Sequence, residues 1–271
     1  MRWLLLLALP AALEFGGSGV ASPTLDRAAI PLVAGNNLGA GAFTLELFVR
    51  VAPGSNLLAP PCGAAADAWI HGHVLLDRDV YGPGDFGDFG ASLMQGRVAF
   101  GVNLGASGAT ACGSSDLRDG LWHHLALVRA ADGTLRIFVD GVLEGSVAGP
   151  VGDVSYRLGR PSSWPWDPFL VIGAEKHDAG PSYPSFAGRV AELTALRPSP
   201  ATTPPSVRRS LPSPPMPTPW GSSRCDEGAG TTLRDRAGVQ DGERRVNPGC
   251  LPRWRRDAPG RPSLHDDGFE C

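Results

Sequence analysis

Trp122-His123-His124-Leu125-Ala126-Leu127-Val128-Arg129, then Asp132-Gly133, then Leu135-Arg136-Ile137-Phe138-Val139-Asp140-Gly141, is the stretch whose reading decides the fold. Two apolar runs joined by an Asp-Gly turn signal a β-hairpin, because Asp and Gly accept the positive φ that tight hairpin turns require. In the second run Leu135, Ile137 and Val139 fall on one face and Arg136, Phe138 and Asp140 on the other. That two-residue alternation belongs to a sheet packed on one side.

The same signals recur along the chain. Strands are predicted at 13–15, 43–51, 73–76, 91–94, 98–103, 122–130, 134–139, 169–173 and 190–196. Gln95-Gly96, Asp119-Gly120, Asp132-Gly133 and Asp140-Gly141 supply the turns, and no helical periodicity of useful length intervenes. Two packed antiparallel sheets, an all-β sandwich, satisfy this pattern.

Composition agrees: 271 residues with 36 Gly, 26 Pro, 7% aromatic and 19% charged residues suit one β-rich domain with long turns and poorly structured segments. The formal net charge is −3, and arginines alternate with carboxylates, so the chain lacks the basic footprint of a nucleic-acid or anionic-lipid binder. Lys176 is the sole lysine.

Met1-Arg2-Trp3 followed by the apolar run Leu4–Leu9 and Pro10-Ala11-Ala12 reads as a signal peptide, too short to span a membrane. Cleavage after residue 11 and after residue 21 both have small residues in place. The chain is therefore expected to be secreted or held in the cell envelope, without a transmembrane segment. Cys62, Cys112, Cys225, Cys250 and Cys271 are an odd set for an oxidising compartment. Cys62 and Cys112 lie in loops flanking one run of strands, and closing that loop would contribute about 4 kcal/mol on the chain-entropy model. Cys225 with Cys250 is the next pair; the connectivity stays open. Residues 198–221 read as a Pro/Ser-rich linker, 222–256 as a C-terminal segment and 257–271 as a polar tail.

Several blocks, in order, resemble the laminin G-like, concanavalin A-like jelly-roll family in its secreted bacterial form. Ala12-Leu13-Glu14-Phe15-Gly16-Gly17 is similar to an opening strand, and Phe43-Thr44-Leu45-Glu46-Leu47-Phe48-Val49-Arg50 to the family's FTxExWxR strand. Trp122–Ala126 with Phe138–Gly141 resembles WHHVA…YVDG, and Leu170–Ala174 with Phe186–Leu193 resembles LxIG…FxGxIDEL. Asp226–Thr232 is similar to the FDEGSGTT element that supplies a closing strand. The chain departs from the pattern at Cys225 and Ala191, and between Arg208 and Arg224 it lacks the expected apolar strand. The resemblance implies a jelly-roll domain over residues 12–197 and a closing strand within 222–256. Cleavage after residue 21 would remove Leu13 and Phe15, which favours the earlier site.

Asp77, Asp79, Asp85 and Asp88 gather in a Gly-rich loop, where flexible oxygen donors suit calcium, and the resemblance implies a rim site for that ion. The run lacks EF-hand spacing, and solvated turns are its plain alternative. Glu175, Lys176, His177 and Asp178 read as loop-capping charge. His71 and His73 share a strand face and, with His177 or an aspartate, give a weak zinc signal; half-exposed strand histidines are the plain alternative. The twin indoles Trp164 and Trp166, with Asp167, Tyr81 and Tyr183, offer an aromatic platform with polar edges for sugars; edge-capping aromatics are the alternative. No ExDxxE carboxylate run and no nucleophile elbow appear, so no catalytic residue is assigned. The sequence thus points to a non-catalytic recognition module for glycans or extracellular protein surfaces. A glycoside hydrolase-like enzyme on the same scaffold and a structural envelope protein without a small ligand are the alternatives. Oligomeric state is not readable.

Overall fold

The computed structural model describes residues 12–17, 27–34, 36–80, 87–158 and 167–196, together with the backbone of four short C-terminal strands. Chain order runs β1 (Ala12–Gly16), β2 (Arg27–Pro31), β3 (Phe43–Arg50), a 3-10 turn (Ala68–His71), β4 (His73–Arg78), β5 (Asp88–Met94), β6 (Arg97–Asn103), β7 (Gly108–Cys112) and β8 (Trp122–Arg129). It continues with β9 (Leu135–Val139), β10 (Val142–Val147), β11 (Phe169–Ile172), β12 (Ala187–Leu196), β13 (Gly221–Ser223), β14 (Thr232–Leu233), β15 (Gly242–Arg245) and β16 (Arg253–Arg255).

Among the described residues the strands form two sheets of 8 strands each. The first runs β10-β9-β8-β3-β12-β1-β16, with β13 also on β12, and the second runs β14-β15-β2-β11-β4-β5-β6-β7. Every strand pairing is antiparallel. This is the all-β jelly-roll sandwich read from the sequence.

The hairpin that decides the fold forms as β8 and β9, with Leu125 opposite Val139 and Leu127 opposite Ile137. At its turn the Asp132 carboxylate accepts the Thr134 N–H at 3.0 Å, and Gly133 takes φ +82°. The inward residues Leu45, Leu47, Val49, Leu125, Leu127, Leu135 and Ile137 meet Leu75, Phe89, Leu93, Phe100 and Val102 of the other sheet in one buried core. Phe43 bridges the layers, its ring centroid 5.0 Å from Phe89 and 6.3 Å from Phe100.

The outer faces differ. On the second sheet, β4, β5 and β6 are buried almost throughout, because the segment leading to the 3-10 turn lies over them. Trp69 sits with Ala59, Val74, Met94 and Ala99 in a separate buried cluster. The disulfide Cys62–Cys112 ties this cover to β7. On the first sheet Glu46, Phe48, Arg50, Trp122, His124, Phe138 and Arg189 are half-buried on an outer face.

β2, β7 and β10 are strands that periodicity did not predict. Their small residues (Ala28, Ala29, Ala109, Ala111) and the bulge between Leu143 and Gly145 blunt the apolar signal. Part of the C-terminal segment adds strands: β13 pairs β12, β15 pairs β2 and β16 pairs β1. The segment expected to be a signal peptide, Cys225, Cys250, Cys271 and most of the expected linker lie outside the described residues.

Candidate functional site

The densest chemistry lies where β4 ends and β11 leaves its sheet. β11 pairs with β4 through Val171 opposite Asp77, and the following turn brings 175–178 against the end of β4. There the Asp77 carboxylate accepts two backbone N–H groups, from Asp79 at 2.8 Å and from Lys176 at 2.7 Å. His177 stands between three carboxylates. Its Nε2 is 2.9 Å from Asp167 Oδ1, and its Nδ1 is 3.1 Å from Asp79 Oδ1 and 3.3 Å from Glu175 Oε1. Glu175 Oε2 accepts the N–H of His177 at 2.8 Å and that of Asp178. The sole lysine, Lys176, is buried, with Nζ donating to the carbonyls of Asp167 and Phe169 at 3.2 Å each.

Burial dominates the electrostatics. It pushes the Asp77 carboxyl well above the ordinary range, an effect reinforced by the nearby charges of Asp79 and Glu175. Asp88, whose Oδ1 accepts the Val80 N–H at 2.9 Å, is likewise pushed up to about 7 by burial. Burial lowers Lys176 and Arg78. For His177, burial disfavours the charge, but the facing carboxylates of Asp79 and Glu175 outweigh it and raise the imidazole to about 10. Arg78 donates to the Val154 carbonyl and lies 4.9 Å over the Phe89 ring, while its Nε and Nη1 have no hydrogen-bond partner among the described residues.

The residues singled out for calcium do not form an oxygen cage. Asp77 spends its oxygens on backbone N–H groups, Asp88 spends Oδ1 on Val80, and Asp79 faces an imidazole and, at 4.0 Å, an ammonium. Asp85 lies outside the described residues. The described donor set therefore does not fit calcium, which needs six or more converging oxygens.

Glu175, Lys176 and His177 are not exposed loop-capping charge: their side chains are buried in this cluster. The signal that could have exposed this was Lys176 itself, a lone lysine directly after the apolar strand of β11.

The proposed sugar platform is divided. Asp167 is buried and holds His177, so it faces the interior instead of a ligand. Tyr183 lies near the opposite end of β4, since it stacks on His71 with centroids 5.3 Å apart and planes 19° apart, and β4 alone spans roughly 20 Å. Trp164, Trp166 and Tyr81 lie outside the described residues. The zinc grouping is separated in the same way. His71 and His73 sit at the start of β4, where His73 Nδ1 is 2.9 Å from the Ser185 carbonyl and Nε2 accepts the Leu58 N–H at 3.1 Å. His177 is at the other end. His123 is a sheet residue held on both nitrogens, by Asp140 at 2.7 Å and Asp119 at 3.1 Å.

The sequence model of the concanavalin A-like lectin/glucanases superfamily matches residues 26–197. No curated protein matches the sequence. Among solved structures, domains LG4-5 of the mouse laminin α1 chain match with 20% identity and a TM-score of 0.44, covering 70% of this chain and 41% of that one. A protein of Bacteroides ovatus ATCC 8483 whose name proposes carbohydrate binding matches with 14% identity and a TM-score of 0.49, covering 88% of this chain and 58% of that one. The chain thus spans less than two thirds of either structure. Among the described residues no helix is long and apolar enough to cross a membrane.

Proposed function

The chain belongs to the concanavalin A-like lectin/glucanases superfamily, and from that premise we propose that it works outside the cytoplasm as a non-catalytic recognition module for a glycan or a glycan-bearing protein surface. The observation that carries the reading is the His71–Tyr183 stack. An exposed imidazole and a half-buried phenol lie nearly parallel at one rim, with Leu57 and Leu58 exposed in the neighbouring loop. An aromatic face edged by polar groups suits a sugar ring, whose apolar C–H face and hydroxyl edge need both. Trp164 and Trp166 form a second aromatic element of the proposal, in the segment that leads into the buried Asp167.

The disulfide Cys62–Cys112 supports an oxidising compartment.

The test is a glycan-array screen of the full chain, repeated with His71→Ala/Tyr183→Ala and with Trp164→Ala/Trp166→Ala. Loss of binding in the first variant, with an unchanged melting profile, supports the rim assignment. Loss confined to the second moves the site to the tryptophan segment. A folded chain that binds no glycan on the array and hydrolyses a polysaccharide would sink the reading.

A further inference from the structure

We propose that Asp79, Glu175 and His177 form a site for one divalent first-row transition cation at the end of β4. This inference does not rest on the glycan-binding reading. One oxygen from each acid and His177 Nδ1 lie within 4.8 Å of one another.

The donor chemistry selects the class of ion. An imidazole with two carboxylates suits zinc and its neighbours, whereas calcium prefers oxygen alone. His177 Nδ1 is 3.1 Å from Asp79 Oδ1 and 3.3 Å from Glu175 Oε1. Donors about 2.0 Å from a tetrahedral zinc stand about 3.3 Å apart, so both separations already match.

Each ligand is held from behind. Nε2 of His177 faces Asp167 Oδ1 at 2.9 Å, and both side chains are 1% exposed. That carboxylate keeps a proton on Nε2 and turns Nδ1 toward the site, the arrangement that orients metal-binding histidines. Backbone N–H groups of His177 and Asp178 occupy Glu175 Oε2, which leaves Oε1 facing Nδ1. Asp79 Oδ1 is buried, and among the described residues the groups it faces, the imidazole Nδ1 at 3.1 Å and the Lys176 ammonium at 4.0 Å, are not aligned for a hydrogen bond. A cation between that oxygen and Nδ1 would bond to both.

Charge and access agree. Asp79, Asp167 and Glu175 surround the site, with Lys176 Nζ 4.0 Å from Asp79 Oδ1. On binding, Nδ1 releases its proton to solvent and the cation takes its place, while the Nε2 proton remains on the Asp167 side. The Asp79 side chain is 17% exposed against 3% for Glu175 and 1% for His177, so the ion enters past Asp79. Three protein ligands leave a fourth position for water.

The experiment is titration calorimetry of the chelator-stripped full chain with zinc chloride alone and calcium chloride alone. One zinc per chain is expected, with at least tenfold weaker affinity for calcium. Asp79→Asn keeps shape at the most accessible ligand and should weaken zinc at least tenfold, as should Glu175→Gln. Far-UV circular dichroism checks that each variant is folded. Cobalt substitution of the unmutated chain gives a second reading that needs no variant: weak ligand-field bands without thiolate charge transfer support the assignment. A folded chain that binds no zinc, unchanged affinity in both variants, tighter calcium binding or a thiolate band overturns it.

Discussion

The Trp69 indole lies so close over Gly101 that a Cβ at that position would overlap its ring. Gly90, paired with Gly101 across β5 and β6, meets the other edge of the same indole. Neither glycine has a positive φ, so what the site requires is space and not an unusual backbone. This contact lets the segment before β4 lie flat on the second sheet and leaves the first sheet with the half-buried outer face.

Gly101→Ala should therefore cost about 2 kcal/mol through overpacking, lowering the melting temperature by roughly 4–8 °C for a domain of this size. Gly63→Ala, where an added Cβ meets nothing within 4 Å, serves as the control and should stay within about 0.5 kcal/mol. Equal melting of the two variants would show that Trp69 moves aside at little cost.

Much of the fold was legible because its strands announce themselves twice, by alternation and by turns. Leu135, Ile137 and Val139 alternate with polar neighbours, and Gln95-Gly96 and Asp140-Gly141 take the positive φ that their hairpins need. The covered face was not legible. β5 reads Asp-Phe-Gly-Ala-Ser-Leu-Met, and the fact that Gly90 and Ser92 lie under Trp69 is a long-range matter of packing. The candidate site was half legible for the same reason. Asp77, Asp79 and His177 were visible as polar residues, but about one hundred residues of chain separate the two groups. Their meeting depends on the register of β11 against β4.

His73 should make the Leu58 segment sensitive to acid. Burial lowers this imidazole, and its Nε2 accepts the Leu58 N–H, which a protonated ring cannot do. The folded value lies below the unfolded value of about 6.5. Its stabilising contribution is thus complete above that pH and is lost as pH falls below it. Hydrogen exchange at Leu58 should accelerate between pH 7.5 and pH 5 beyond the intrinsic change, and His73→Gln, which has no titrating group, should remove the excess. Equal acid sensitivity in the variant would assign the effect to another group.

Phe15 carries the last prediction, because it stands before residue 26, where the family match begins, yet belongs to the core. β1 is laid between β12 and β16, Leu13 and Phe15 are buried, and the Phe15 ring packs 6.2 Å from Phe186 at an angle of 64°. Phe15→Ala should lose about 3–5 kcal/mol, as large-to-small changes in a packed interior do. Glu14→Ala, which breaks the half-exposed contact with Arg189 at 3.1 Å, is the internal comparison and should cost less than about 1 kcal/mol. Urea midpoints at constant slope measure both. Coincident midpoints would mean that β1 adds no stability to the sandwich. A large difference would mean that a chain beginning after residue 21 is a weakened domain, because it lacks Leu13 and Phe15.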